Sequence, residues 1–372
     1  MKINSGSFRL DIGSILTLLV FSGLSCGLLG LDGSEKSAES SVAPSVADPA
    51  KIAALRTQAK AIFGVLPQDA STVDRPISDA QVSLGRTLYY DPRLSKNHDI
   101  SCNSCHQLDA FGVDGEPTSP GHKGQRGDRN SPTTLNAALH VAQFWDGRAA
   151  DVEEQAKGPV LNPVEMAMPS PEAVIFVLDS IPGYAPLFAK AFPDEVDPIS
   201  YDNMGIAIGA FERGLITPAP LDAFIAGDDS ALTSEEMVGL ETFMKVGCIA
   251  CHNGVGFGGN SYQKLGIVHP YPTEDKGREK VTGRPADRHV FKVPSLRNVR
   301  ETGPWFHDGS ISSLDEAVTI MAHHQLGQTL TPEQSRALIS FLGALTGHID
   351  SAYVAAPELP ASGPETPPAD PT

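Results

Sequence analysis

The chain has 372 residues, a formal charge of −17 at pH 7 and a sequence pI near 5.0. So acidic a surface excludes nucleic acid as a partner, because phosphates would be repelled and no counterions would be released to drive binding. An apolar share of 41% excludes disorder throughout and, at this length, leaves room for two ordinary domains with tails.

Lys2 and Arg9 precede an apolar run from Ile12 to Leu24 that is too short to span a bilayer unaided, so residues 1–30 read as an export signal, with Asp11 out of place in it. Cys26 comes after Gly23-Leu-Ser, which lacks the aliphatic residue of a lipoprotein cleavage box three positions before the cysteine. That leaves two readings open, a lipid anchor on Cys26 and an ordinary signal-region cysteine. Residues 31–50 are Ser/Ala-rich and read as a linker, and the Pro-rich residues 351–372 read as a disordered tail. Between them the expected partition is an N-terminal domain at 51–220 and a C-terminal domain at 221–350.

The remaining cysteines form Cys102-Asn-Ser-Cys105-His106 and Cys248-Ile-Ala-Cys251-His252, two copies of CxxCH. The segments downstream of each copy also repeat. Pro132-Thr-Thr-Leu135-Asn136, Phe144-Trp145-Asp146-Gly147 and Val152-Glu153-Glu154 match Pro294-Ser-Leu296-Arg-Asn298, Phe306-His307-Asp308-Gly309 and Leu314-Asp315-Glu316. Each half then ends in an amphipathic helix, with Ile208, Phe211 and Leu215 on one face of the first and Leu338, Phe341 and Leu345 on one face of the second. Ser78 with Gln81, Thr233 with Glu236, and Thr331 with Pro332 and Gln334 have the spacing of helix-capping boxes. No strand pattern competes with these signals. The expected fold is all-α: two cytochrome c-like domains related by internal duplication, with few or no strands.

In CxxCH two thiols can form thioethers to haem vinyl groups while the adjacent imidazole sits under the iron. A redox-active dithiol or a zinc site is the plainer alternative, but neither needs a histidine directly after the second cysteine twice over. Function then turns on the sixth ligand of each iron: two strong ligands make an electron carrier, whereas a vacant face can bind peroxide. Met321, on a helix starting near Leu314, is either core or a ligand that would raise the potential of its haem. His122 lies in the glycine-rich segment from Gly112 to Gly127 and is either a surface residue or a ligand on a loop able to withdraw.

From Asp79 to Gly347 the sequence resembles the bacterial dihaem cytochrome c peroxidases, whose superfamily includes the tryptophan-modifying methylamine-utilisation enzyme. The resemblance is carried by both CxxCH motifs, Gly121-His122-Lys123-Gly124, Asn130-Ser-Pro-Thr, Gln143-Phe-Trp-Asp-Gly-Arg148, Glu154-Gln155-Ala156, Asn162-Pro-Val-Glu165-Met166, Pro294-Ser-Leu-Arg-Asn298, and Gly303-Pro-Trp-Phe-His307-Asp-Gly309 running on to Met321. It implies a peroxidatic haem bound by His106 and a detachable His122, and an electron-transfer haem bound by His252 and Met321. The tryptophan-modifying branch carries tyrosine where Met321 stands, so the peroxidase branch is favoured. The resemblance further implies Glu165 as acid/base, Gln155 as a peroxide-orienting group, and Trp145 between the haems. It also implies a calcium ion near Asn130, Thr302 and Pro304, whose neutral oxygens suit that cation.

The expected protein is thus a periplasmic peroxidase with two covalent haems and one calcium ion. It reduces hydrogen peroxide to water with electrons from a small cytochrome c or a cupredoxin; homodimers are common in the family. A dihaem oxidase of another substrate and a non-catalytic dihaem carrier remain as alternatives.

Overall fold

The computed structural model describes residues 48–372. The export signal, Cys26 and nearly all of the Ser/Ala-rich linker lie outside the described residues; positions 48–50 already cap and open a helix.

The first half contains α1 (Pro49–Phe63), α2 (Asp79–Tyr90), the short α3 (Cys102–Cys105), α4 (Val152–Leu161), α5 (Pro171–Asp179), α6 (Tyr184–Ala191) and α7 (Tyr201–Arg213). The second contains α8 (Pro220–Ala226), α9 (Ser234–Val246), α10 (Glu279–Thr282), α11 (Leu314–Leu326), α12 (Pro332–Gly343) and α13 (Ser351–Val354). Among the described residues the only sheet is an antiparallel pair, β1 (Tyr262–Lys264) and β2 (Val290–Lys292).

The three capping boxes form as the spacing predicts. At the start of α9, for example, the Thr233 hydroxyl accepts from the Glu236 amide at 3.2 Å while the Glu236 carboxylate accepts from the Thr233 amide at 2.7 Å. Ile208, Phe211 and Leu215 are buried in one core, and Leu338, Phe341 and Leu345 in the other. In the first module α2 crosses α7 at a glycine, and in the second α9 crosses α12 at another. A Cβ on Gly85 of α2 would lie 1.8 Å from the Ala207 carbonyl oxygen of α7, and one on Gly239 of α9 would lie 2.0 Å from that of Ala337 in α12. Side chains at these points would hold the backbones apart. Gly239→Ala should therefore cost about 1–3 kcal/mol or more through overpacking against backbone that cannot yield, read as a lower thermal midpoint.

The duplication is visible in the backbone. Asn136 and Asn298 both adopt the left-handed conformation, and both donate to the Thr217 hydroxyl, at 2.7 and 3.0 Å, so the two copies meet at one buried threonine. Phe144 and Phe306 are likewise both left-handed, as are Gly147 and Gly309.

The contiguous partition at 51–220 and 221–350 is corrected at both ends. Leu55, Ala59 and Phe63 of α1 belong to the second core, where Phe63 stacks on Phe257 at 4.1 Å. Ile349, Tyr353 and Val354 pack instead on the first core, and Tyr353 donates to the Phe211 carbonyl at 2.8 Å. An apolar stripe says that a helix is covered, not by which module. The tail expected to be disordered also lies along the first module: Arg93 donates to the Ser362 hydroxyl at 3.0 Å, Thr366 to the Ser180 carbonyl at 3.1 Å, and the Asp370 amide to the Lys96 carbonyl at 2.9 Å. These are polar contacts, which leave no apolar periodicity to read.

Candidate functional site

Each CxxCH opens onto its own cavity. The first holds about 1220 Å³ of empty space and is lined by Cys102, Cys105 and His106; the second holds about 1740 Å³ and is lined by Cys248, Cys251 and His252, both volumes including space open to solvent. All four thiols are free although each pair is close in sequence. Burial pushes the Cys102 thiol up to about 12 and those of Cys105 and Cys248 up to about 11. Such groups stay protonated at neutral pH, which disfavours the thiolate that a reactive dithiol or a zinc site requires. No cluster of three or more His, Cys, Asp or Glu groups fit to hold a metal occurs among the described residues.

The histidines of both motifs are in a form that can ligate a metal. His252 Nδ1 lies 3.0 Å from the Phe257 carbonyl oxygen, to which it can donate, leaving the Nε2 lone pair free. Burial lowers the pKa of both His106 and His252, which keeps the imidazoles neutral, the form that binds iron. His106 Nδ1 is itself buried without a hydrogen-bond partner. Two free thiols and one neutral imidazole at the wall of a roomy cavity, present twice, fit covalent haem in both modules.

The two cavities differ in what faces their histidines. Met321 of α11 lines the second. The register that pairs Phe144 with Phe306 puts Pro159 of α4 in the equivalent place, and Pro159 lines the first cavity. A proline offers no side-chain ligand, so the first cavity has no sulfur at this position. His122 is buried, with 6% exposure, but is not among the residues lining the first cavity. Its amide donates to the Glu165 carbonyl at 2.7 Å, and the loop turns through left-handed Lys123 and Gly124.

Gln155 and Glu165 both line the first cavity. Burial raises the Glu165 pKa above the ordinary carboxylate range, opposed by the Arg148 charge and a hydrogen bond from Asn162. Trp145 lines both cavities and is held at each end: its indole N–H donates to the Asn130 carbonyl at 2.9 Å, and its own carbonyl accepts from the Lys292 amide at 2.8 Å. The turn that carries it is braced by Arg129, which donates to Asp146 at 2.6 Å and to Asp275 at 2.7 Å. Asn130, Thr302 and Pro304 all line the second cavity.

Sequence reasoning missed Glu212, which lines the first cavity at 3% exposure. Burial, reinforced by the nearby Glu153 charge, pushes its carboxyl up to about 8. The sequence signal was a Glu-Arg pair ending an otherwise apolar helix. Because the folded pKa lies above the unfolded one, Glu212 stabilises the fold fully below about pH 4.5, and that contribution is lost as pH rises through about 8. Stability should fall by up to about 1.4 kcal/mol per pH unit across this window. Glu212→Gln should flatten the dependence, as thermal unfolding between about pH 5 and pH 9 will show.

Residues 79–230 match the family described as di-haem cytochrome c peroxidase. The chain is 46% identical over 321 residues to the cytochrome c551 peroxidase of Pseudomonas aeruginosa, covering 84% of this chain and 92% of that protein. It is 35% identical over 302 residues to the methylamine utilization protein MauG of Methylorubrum extorquens, covering 77% and 83%. Among solved structures it resembles a MauG-like protein associated with microbial copper homeostasis, with a TM-score of 0.69 at 27% identity over 81% of this chain and 96% of that one. With two CxxCH cavities on duplicated helical modules and relatives matched along most of their length, the chain belongs to the di-haem cytochrome c peroxidase family.

Proposed function

We propose that this protein reduces hydrogen peroxide to water, using two protons and two electrons per peroxide, the electrons arriving from a small cytochrome. The observation that carries this reading is the asymmetry of the cavities: Met321 faces one, while Pro159, Gln155 and Glu165 face the other. Bound haem would supply the electron-transfer and bond-breaking chemistry, attached through Cys102, Cys105, Cys248 and Cys251 and ligated by His106, His252 and Met321.

The chain's own residues do the rest. Glu165, as carboxylate, accepts a proton from one peroxide oxygen and returns it to the departing one. Gln155 donates a hydrogen bond that orients peroxide. His122 sits on an arm that closes the first cavity when it reaches in and opens it when it withdraws; its placement off the cavity wall supports this. Trp145, on the walls of both cavities, is the route between modules. A peroxide-specific site is favoured over the tryptophan-modifying alternative by the methionine at position 321.

Asn130, Thr302 and Pro304 are proposed to contribute oxygens to a calcium ion with waters completing its shell, a reading supported by their shared place on the second cavity wall. A periplasmic location is the natural consequence of the export-like N-terminus.

The test is steady-state consumption of peroxide by the haem-loaded protein with a reduced small cytochrome. Turnover that disappears in the Cys102→Ser/Cys105→Ser double variant is expected. Peroxide consumption that does not depend on the cytochrome would overturn the reading.

A further inference from the structure

The second cavity holds a cation without a counter-charge. Lys292, at the end of β2, is 6% exposed and lines the cavity, yet no Asp or Glu is among the described residues that line it. Its Nζ lies 3.1 Å from Nδ1 of His140, a residue contributed by the other half of the duplication. His140 lines the same cavity, and its Nε2 is buried with no hydrogen-bond partner. Gly259 makes this placement feasible, because a Cβ there would lie 2.2 Å from the imidazole.

Hydrogen-bond bookkeeping then specifies what is missing. An ammonium only donates, so His140 Nδ1 must accept and the imidazole proton must sit on Nε2. Nζ carries three N–H groups, of which His140 takes one. The corner therefore presents spare donors and a positive charge to a largely apolar space, an arrangement that is costly unless an anion completes it. Burial pulls the lysine pKa down to about 8, so at neutral pH most of the charge survives even without that anion. Burial, and then the lysine charge, hold His140 neutral.

We propose that Lys292 and His140 form a carboxylate-binding corner that takes a propionate of the haem attached at Cys248 and Cys251. This rests on the haem attachment proposed above. Since the two residues come from different modules, the bound carboxylate also joins them. The charge pair has a redox consequence as well: the ammonium offsets the negative charge of the carboxylate, and without it the oxidised, more positive iron is favoured.

The test compares haem-loaded wild type with Lys292→Gln, Lys292→Arg and His140→Gln by resonance Raman spectroscopy and redox titration. Lys292→Gln should shift the propionate-bending band of one haem and leave that of the other unmoved. It should also lower the midpoint potential of the Met321-side haem by a tenfold or larger change in the reduced-to-oxidised ratio, 59 mV or more for a one-electron couple. Lys292→Arg should stay near wild type in both readouts, and His140→Gln should shift the same Raman band by less. Unmoved bands and potential in folded Lys292→Gln carrying two haems overturn the proposal, even if its thermal stability falls. Should Lys292→Gln not fold, an unmoved band in His140→Gln overturns it equally. Wild-type protein lacking covalent haem at Cys248 and Cys251 would instead remove the attachment on which the proposal stands.

Discussion

Glu165→Gln should leave the fold and both haem attachments intact and lower peroxide turnover by about 10²–10⁴-fold, the range lost with a positioned acid/base. The glutamine keeps the size and hydrogen-bonding capacity of the side chain but cannot exchange a proton at neutral pH. With Glu165 as the proposed acid/base, turnover in the wild type requires its carboxylate, so activity should fall as pH drops through the Glu165 pKa. Because burial raises that pKa, the acid limb lies above the ordinary carboxylate range, and it should vanish in the variant. Steady-state rates across pH, with haem content measured in parallel, check both statements. A variant with near-normal turnover would remove Glu165 from the chemistry.

Arg213→Met should destabilise the protein by about 3–5 kcal/mol, the cost of leaving a buried charge without its partner. Arg213 and Glu153 are 6% and 7% exposed and meet through two parallel hydrogen bonds of 2.7 and 2.9 Å, with a third from Arg213 to the Ala70 carbonyl at 2.8 Å. Methionine fills much of the volume but donates nothing, so Glu153 must be protonated or draw in water. Pairing the change with Glu153→Gln removes the orphaned charge and should recover part of the loss. The pair lies behind the first cavity: Glu153 raises the Glu212 pKa and Arg213 lowers it. Denaturant unfolding of the two single variants and the double variant measures the coupling. Additive losses would mean that the two groups act independently.

Much of this molecule was legible in its sequence because its strongest signals are local. A CxxCH turn, a threonine with a glutamate three residues later, and a phenylalanine in register with its repeat are each read within a few positions. Met321, Gln155, Glu165 and Trp145 fell on cavity walls because the motifs around them keep the order of a known family. The features that stayed hidden depend on contacts between distant segments. Nothing near Gly85 or Gly239 announces a helix crossing, and α1 carries no mark of the module that covers it. Lys292 looks like any strand-end lysine until its burial and the missing carboxylate are seen together. The tail departs from expectation because proline-rich composition usually means no core, whereas here polar contacts from Arg93, Lys96 and Ser180 hold it against the first module.

The inequality of the two cavities is tested most directly by EPR and stopped-flow absorption of the half-reduced, haem-loaded protein before and after one equivalent of peroxide. The account predicts one centre that stays six-coordinate through His252 and Met321 and another that opens, reacts rapidly with peroxide and delivers water. Two centres that remain six-coordinate at every redox level, with peroxide left unconsumed, would contradict it.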